Sequence, residues 1–450
     1  MLKNQLHRGF KPYLYPSICL IDPTACLPDN CTMAVQASST VKPSLAQKSS
    51  VAEAPARTEI ESLYDRYIVP TVNRGLTLTH GKGRHVWDDK GRRYLDLGAG
   101  VAVSSLGHAH PAIRETLARQ ADVLIHRSKY YYNEWQGRLA QRIVELTGPG
   151  KVFFCNSGAE ANEALIKLAR KFGHDSGRYE IITTLNSFHG RTMATVSATG
   201  QDKIKHGFEP LLPGFTHVPF NDLAAVEAAI TPKTIAVQIE GIQGEGGVFV
   251  ATPDYLLGLR ELTRKHNLLL LWDGVQCGYF RTGRWQSYQR ILEGAPGGED
   301  FTPDAIAMAK SLGGGYPMGA TWIREPYQNV LGPGSHGTTY GGSPMACAVA
   351  LAIFDVVQRE KLADNIRARG DELKRGLEAL IGTRGIQGVR GFGGLIGFVI
   401  EGEPAAAIAK LAQAGLILIP AANHTVRFLP PLNVTADEIA EALRIIKESL

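Results

Sequence analysis

Between about residues 110 and 310 the chain alternates short apolar runs with stretches of helical periodicity, and no other feature restricts its fold as much. The runs are KVFFC (151–155), YEIITT (179–184), TIAVQIE (234–240), LLLLWD (268–273) and AIAMAK (305–310). Apolar runs without polar alternation mark strands buried on both faces, and strands separated by helices pair in parallel. The pattern predicts a large, mostly parallel α/β sheet wrapped by helices. Beyond about residue 346 helical patterns dominate, with strand-like LIGFVI and TVRFL among them, which predicts a smaller α+β C-terminal domain. Upstream, GRHVWDDKGRRYLDLGAG predicts a hairpin with strands at 84–87 and 93–97.

A chain of 450 residues is too long for one simple core. The expected organisation is a tail or targeting segment over 1–57, an N-terminal segment over 58–110 that joins the small domain, a large domain over 111–345 and a small domain over 346–450. Apolar residues make up 44% and charged residues 20%, as in ordinary soluble proteins. The net charge of +5 is mild and forms no basic stripe, so nucleic acid is not expected as a partner. No run approaches a membrane span, so no membrane partner is expected either. The 6 cysteines form no CxxC pair and no cluster with histidine, which argues against a metal site or a disulfide scaffold and fits a reducing compartment. Residues 1–57 are rich in Ser, Thr, Ala, Pro and Lys without periodicity. They read as a disordered tail of a cytoplasmic protein, the alternative being a mitochondrial or plastid transit peptide, since residues 33–51 hold no acid.

Ligands of α/β sheets sit at the carboxyl ends of strands, and three oddities occur there. After KVFFC, NSGAEANEALIKLARKFG starts a helix whose free amides at Gly158 and Ala159 suit a phosphate; alone this is also an ordinary strand-to-helix turn. AIAMAK ends its strand on Lys310, which partial burial would make a nucleophilic amine able to form a Schiff base; alone it is also a snorkelling lysine. LLLLWD ends on Asp273, a buried carboxylate in want of a cation. Together, phosphate cradle, amine and carboxylate are what pyridoxal phosphate needs. Asp273 would keep its ring nitrogen protonated, as an electron-sink coenzyme requires.

The motifs NSGAEANE, SFHGRT, IQGEGG, WDGVQCGYFRTG, MAKSLGGGYPMGA, HGTTYGGSPMACA, VRGFGGLIG and TVRFLPPLNVT resemble, in order and spacing from about residue 60 onward, the class III, subgroup II aminotransferases of the aspartate-aminotransferase (type I) fold. Within these the chain is most similar to the acetylornithine-specific members. The resemblance implies a homodimer handling small amino-acid substrates, which exchanges an amino group between acetylornithine and 2-oxoglutarate in arginine biosynthesis. Other ω-aminotransferases, and an aminomutase of the same fold, are the alternatives. It further implies that Lys310 is the coenzyme lysine and Asp273 its pyridinium partner. Val275 and Gln276 would lie beneath the ring and beside its phenolic oxygen, and Phe188 would be the stacked lid. Arg191 would grip the substrate carboxylate, Thr338 would contact substrate, and Thr339 would reach the cofactor phosphate of the partner subunit. Glu240 and Arg427 would form a switchable pair. Three positions depart from the family pattern: Gly274 replaces its glutamate, Ser343 its asparagine and Gly241 its proline.

Overall fold

The computed structural model describes residues 58–450, and the expectations placed on residues 1–57 lie outside that range. The chain divides into two units, 1–66 and 67–450. The described part of the first is residues 58–66, which include all but the last residue of the helix Glu59–Tyr67.

The second unit is built on a seven-stranded sheet. Its order from one edge is Gly150–Cys155, Gly319–Arg324, Ala305–Met308, Leu269–Asp273, Thr234–Glu240, Glu180–Thr184 and Phe215–Val218. The five strands from Ala305–Met308 to Phe215–Val218 pair in parallel. Gly319–Arg324 runs antiparallel to both of its neighbours. All five predicted runs are strands of this sheet. The two strands the pattern did not flag are short or interrupted: FTHV buries only Val218 fully, and GATWIR follows a Gly-Pro-rich turn.

The central strand shows why its apolar run is unbroken. Leu269 and Leu271 pack into the cluster that holds Leu165, Leu168 and Ala169 of the helix Gly158–Phe172, while Leu270 and Trp272 pack into the larger cluster on the other face. Each side chain is at most 1% exposed, so each contributes about 1.5–3 kcal/mol by leaving water. The period of two puts Asp273 on the face of that helix. Gln238 and Glu240 share the face, because Leu271 pairs with Gln238 and Asp273 with Glu240.

The predicted hairpin is present as His85–Asp88 against Arg93–Asp96, extended by Leu78–Lys82 on one side. Arg93–Asp96 also pairs in parallel with Leu416–Ile417 from the C-terminal region. LIGFVI and TVRF are neighbouring strands of a separate four-stranded antiparallel sheet. Cys155, Cys277 and Cys347 are buried and unpaired.

Candidate active site

At the carboxyl ends of the strands lies a cavity of about 400 Å³ lined by Gly158, Ala159, Phe188, Arg191, Glu240, Asp273, Val275, Gln276 and Lys310. Nine of the residues singled out in the sequence therefore meet around one space. Thr338 and Thr339 line a different groove, with His126, Lys129 and His336. Arg427 reaches the first cavity through Gln276 and Glu245.

Ser157 caps the helix Gly158–Phe172, its hydroxyl accepting from the Glu160 amide. The amides of Gly158 and Ala159, in the first turn, have no carbonyl of their own helix to bond and point an anion-binding end at the cavity. Position 158 must be glycine for a local reason: a Cβ there would lie 2.7 Å from Val275 Cγ1.

Asp273 is 3% exposed. Its Oδ2 meets His189 Nδ1 at 2.8 Å and accepts from Asn162 Nδ2 at 2.8 Å, and its Oδ1 accepts from the Val275 amide at 3.0 Å. Asn162 is in turn held by Gln238, whose Nε2 donates to its Oδ1 at 3.0 Å. The buried carboxylate thus has a set of donors that fixes its orientation toward the cavity. Asn162 and His189 sit inside the quoted motifs NSGAEANE and SFHGRT, yet sequence reasoning gave them no role. Only the shared face of the sheet brings them to Asp273.

Lys310 differs from expectation in its backbone. The strand stops at Met308, and Lys310 opens a one-turn 3₁₀ segment, Lys310–Leu312, with φ of +48°. Burial pulls its amine down to about 8, against the opposing pull of the Glu245 carboxylate. An amine so poised exchanges protons near neutral pH.

Glu240 does not pair with Arg427, and the expected switchable pair is corrected. Glu240 Oε2 accepts from the Phe188 amide at 3.0 Å. Burial and the neighbouring Asp273 push its carboxyl well above the usual range. Arg427 instead binds Glu245 with both terminal nitrogens at 2.9 Å, and its Nη1 also donates to Gln276 Oε1 at 2.9 Å. The physical reason is reach: Glu240 ends a strand and is turned onto the helix face, whereas Glu245 stands in the loop that follows, opposite the strand Thr425–Phe428. Glu245 was in view in IQGEGG, but two acids five residues apart cannot be ranked without the loop's course.

Arg191 is exposed at the rim, stacked over Phe188 with its guanidinium carbon 5.5 Å from the ring centroid. Among the described residues no carboxylate pairs with it. The departures from the family pattern also have local causes. A Cβ at Gly241 would lie 2.4 Å from Trp272 Cζ2, and Ser343 caps the helix Pro344–Arg359 by accepting from the Ala346 amide.

This sheet order, with an amine and a carboxylate converging on an anion-binding helix end, defines a coenzyme-dependent transferase of the type I fold. The chain belongs to the class III aminotransferases, whose family model matches residues 68–450. It is 42% identical to the acetylornithine aminotransferase of Caldanaerobacter subterraneus, over 86% of this chain and 97% of that one. It is 43% identical to a succinylornithine transaminase of Salmonella paratyphi A, over 84% and 93%. Among solved structures, the ornithine aminotransferase of Toxoplasma gondii superposes with a TM-score of 0.82 at 33% identity, over 87% and 94%, and holds pyridoxal phosphate at partial occupancy. The acetylornithine aminotransferase of Elizabethkingia anophelis does so with a TM-score of 0.75 at 33% identity, over 87% and 97%.

Pyridoxal phosphate is the cofactor of this class, and the residues present fit it. A partly buried amine of lowered basicity and an oriented buried carboxylate face one cavity, with free amides at its edge. Gly158 and Ala159 would hold the phosphate, Lys310 the aldehyde carbon and Asp273 the ring nitrogen. When bound, the cofactor supplies an electron sink that lets an amino group be exchanged. The chain's own part is to orient that group, to carry protons at Lys310 Nζ and to hold the Asp273 carboxylate in place through His189, Asn162 and the Val275 amide.

Proposed function

We propose that this protein transfers the amino group of N2-acetyl-L-ornithine to 2-oxoglutarate, giving N-acetyl-L-glutamate 5-semialdehyde and L-glutamate, as a step of arginine biosynthesis. The observation that carries the reading is the contrast between its two arginines. Arg191 stands open at the rim, while Arg427 is neutralised by Glu245. Such a site takes a carboxylate at Arg191 and, once Glu245 moves aside, a second carboxylate at Arg427. It can then accept in turn a monocarboxylate amine and a diacid. The similarity to acetylornithine aminotransferases over most of the chain supports the same substrate. A second reading, succinylornithine as donor, is favoured by the Salmonella relatives.

The working unit in this reading is a homodimer in the cytoplasm. The groove of Thr338 and Thr339 is bordered in sequence by the exposed Ile125, Tyr131, Tyr132 and Tyr340, an apolar surface suited to a second copy of the chain. Thr339 would then serve the partner's cofactor. Residues 111–345 would hold the cofactor and 346–450 would form the small domain; among the described residues no helix is long and apolar enough to cross a membrane.

The test is a panel of donors (acetylornithine, succinylornithine, ornithine and 4-aminobutyrate), each with 2-oxoglutarate, reading glutamate formed. Acetylornithine should give the highest kcat/KM. A higher value for another donor would replace the substrate, and turnover without 2-oxoglutarate would move the protein to the aminomutases.

A further inference from the structure

Arg281 is fully buried at 0% exposure, eight residues beyond Asp273 in GYFRTG. Buried guanidinium groups ordinarily face carboxylates, but among the described residues none pairs with this one. Its Nη1 donates to the Pro430 carbonyl and, at 3.4 Å, to that of Gly394, and its Nη2 donates to Ser311 Oγ at 3.1 Å. Burial pulls the group down to about 10, so it remains charged at neutral pH. An apolar side chain of similar volume would fill this space at lower cost, so stability alone does not account for an arginine here.

Its partners lie on three segments. Pro430 follows the strand Thr425–Phe428, which carries Arg427, and Gly394 lies in the turn between Ile386–Phe392 and Leu395–Ile400. Ser311 is the residue after Lys310. The Gly394 amide also donates to the Arg281 carbonyl at 2.7 Å, which closes the link to the C-terminal sheet. Ser311 is itself a junction: its hydroxyl donates to the Ala102 carbonyl at 2.7 Å, and its carbonyl accepts from Ser105 Oγ at 3.1 Å. Both sides of this junction are held in left-handed backbone, with φ of +48° at Lys310 and +62° and +65° at Val101 and Ala102. Non-glycine residues keep such conformations only where their surroundings impose them.

We propose that Arg281 is a positioning residue for Lys310: its fork fixes Ser311 to the C-terminal sheet, and so sets where the lysine amine stands from the same sheet that presents Arg427. This rests on the reading of Lys310 as the coenzyme lysine. A lysine at 281 would keep the charge but could not serve Ser311 and two carbonyls from one planar group.

The test uses the full-length, coenzyme-loaded protein and its Arg281→Lys, Ser311→Ala and Ser311→Thr variants. The readouts are the pH titration of the coenzyme's visible absorbance and the separate values of kcat and KM. Arg281→Lys and Ser311→Ala should each move the titration midpoint by about half a unit or more and lower kcat by about 10- to 100-fold, with KM for the amino donor little changed. Ser311→Thr, which keeps the hydroxyl, should stay near wild type. Combining Arg281→Lys with Ser311→Ala should cost less than the sum of the two single changes, since both break the contact between Arg281 and Ser311. If Arg281→Lys fails to fold, the two Ser311 variants decide alone. An unmoved midpoint and kcat in folded Ser311→Ala overturns the proposal. Lys310→Ala separates this from its premise: a visible band retained there overturns the role of Lys310, whereas a lost band beside an unaltered Ser311→Ala overturns only the positioning by Arg281.

Discussion

Arg427 and Glu245 meet as two planar forks, Nη1 on Oε1 and Nη2 on Oε2, both at 2.9 Å, with the arginine 1% exposed. Burial pushes the Glu245 carboxyl up, but the Arg427 guanidinium outweighs it and holds the acid below its ordinary range. Glu245→Gln leaves the guanidinium without its counter-charge and open to a substrate carboxylate. The KM for 2-oxoglutarate should fall and that for acetylornithine rise, each about 10-fold, on the scale of one charge-assisted contact. A depressed acid stabilises the fold above its unfolded-state value and loses that contribution as pH falls through the folded one. Melting curves should therefore separate wild type from Glu245→Gln most at neutral pH and converge in acid. Movement of both KM values in one direction would mean that Glu245 does not gate Arg427.

The sheet was legible because burial on both faces writes itself as unbroken apolar runs, as at Leu269–Trp272. The residues at strand ends stood out for the opposite reason: Lys310 and Asp273 are charges where the pattern calls for apolar side chains. Contacts between segments were not legible. Asn162, His189 and Gln238 look like any polar residues on a helix, a loop and a strand, and they become a network only when one face of the sheet is known. Choosing Glu240 over Glu245 as partner of Arg427 failed for the same reason. The left-handed backbone at Lys310 had no signal, since lysine is not a residue that marks such a turn.

Lys310 carries a second prediction, for the coenzyme-free protein. Its folded value of about 8 lies below the ordinary lysine value of 10.5. Between these two values the unfolded chain holds the extra proton, so the lysine's penalty on folding shrinks as pH rises and is largest below 8. Lys310→Met should raise the melting temperature at pH 7, and the advantage should fade toward pH 10. The gain is at most about 3 kcal/mol, and less in practice because the amine is partly open to the cavity. A pH-independent difference would show that Lys310 is not the group being relieved. With coenzyme added, the same variant should show no visible band.

His189 carries the third. It is 1% exposed, its Nδ1 is on Asp273, and its Nε2 has no partner among the described residues. His189→Leu removes a donor from a buried carboxylate, which costs about 1.5–3 kcal/mol. Coenzyme titration should show binding weakened by about 10- to 100-fold. Asn162→Ala should act in the same direction through the other contact to Oδ2. Unchanged coenzyme affinity in both variants would mean that Asp273 holds its orientation without them.

Arg191 tests the carboxylate grip. Arg191→Lys keeps the charge and loses the bidentate fork, so kcat/KM should fall by roughly 2–4 kcal/mol for both substrates. Coenzyme affinity should hold, since Gly158, Ala159, Asp273 and Lys310 are untouched. Wild-type kinetics in this variant would shift the search for the grip to Arg427.

Gly274, where the family has glutamate, gives the last prediction. A Cβ at this position would lie 2.4 Å from Gln286 Oε1 and 3.2 Å from the Ala307 carbonyl. Gln286 is fully buried, and neither end of its amide has a partner among the described residues. Its carboxamide therefore takes the room that a side chain at 274 would need, and the two positions are matched. Gly274→Ala should destabilise by about 1–3 kcal/mol through overpacking. Gln286→Ala should cost less than a buried amide of this size ordinarily does, because no protein hydrogen bond is broken. The double variant should recover most of the Gly274→Ala loss, giving a coupling energy of about 1–2 kcal/mol in a double-mutant cycle. Thermal or urea unfolding of the four proteins measures it. Strict additivity would place the constraint on Gly274 at the Ala307 carbonyl instead, where no side-chain change can relieve it.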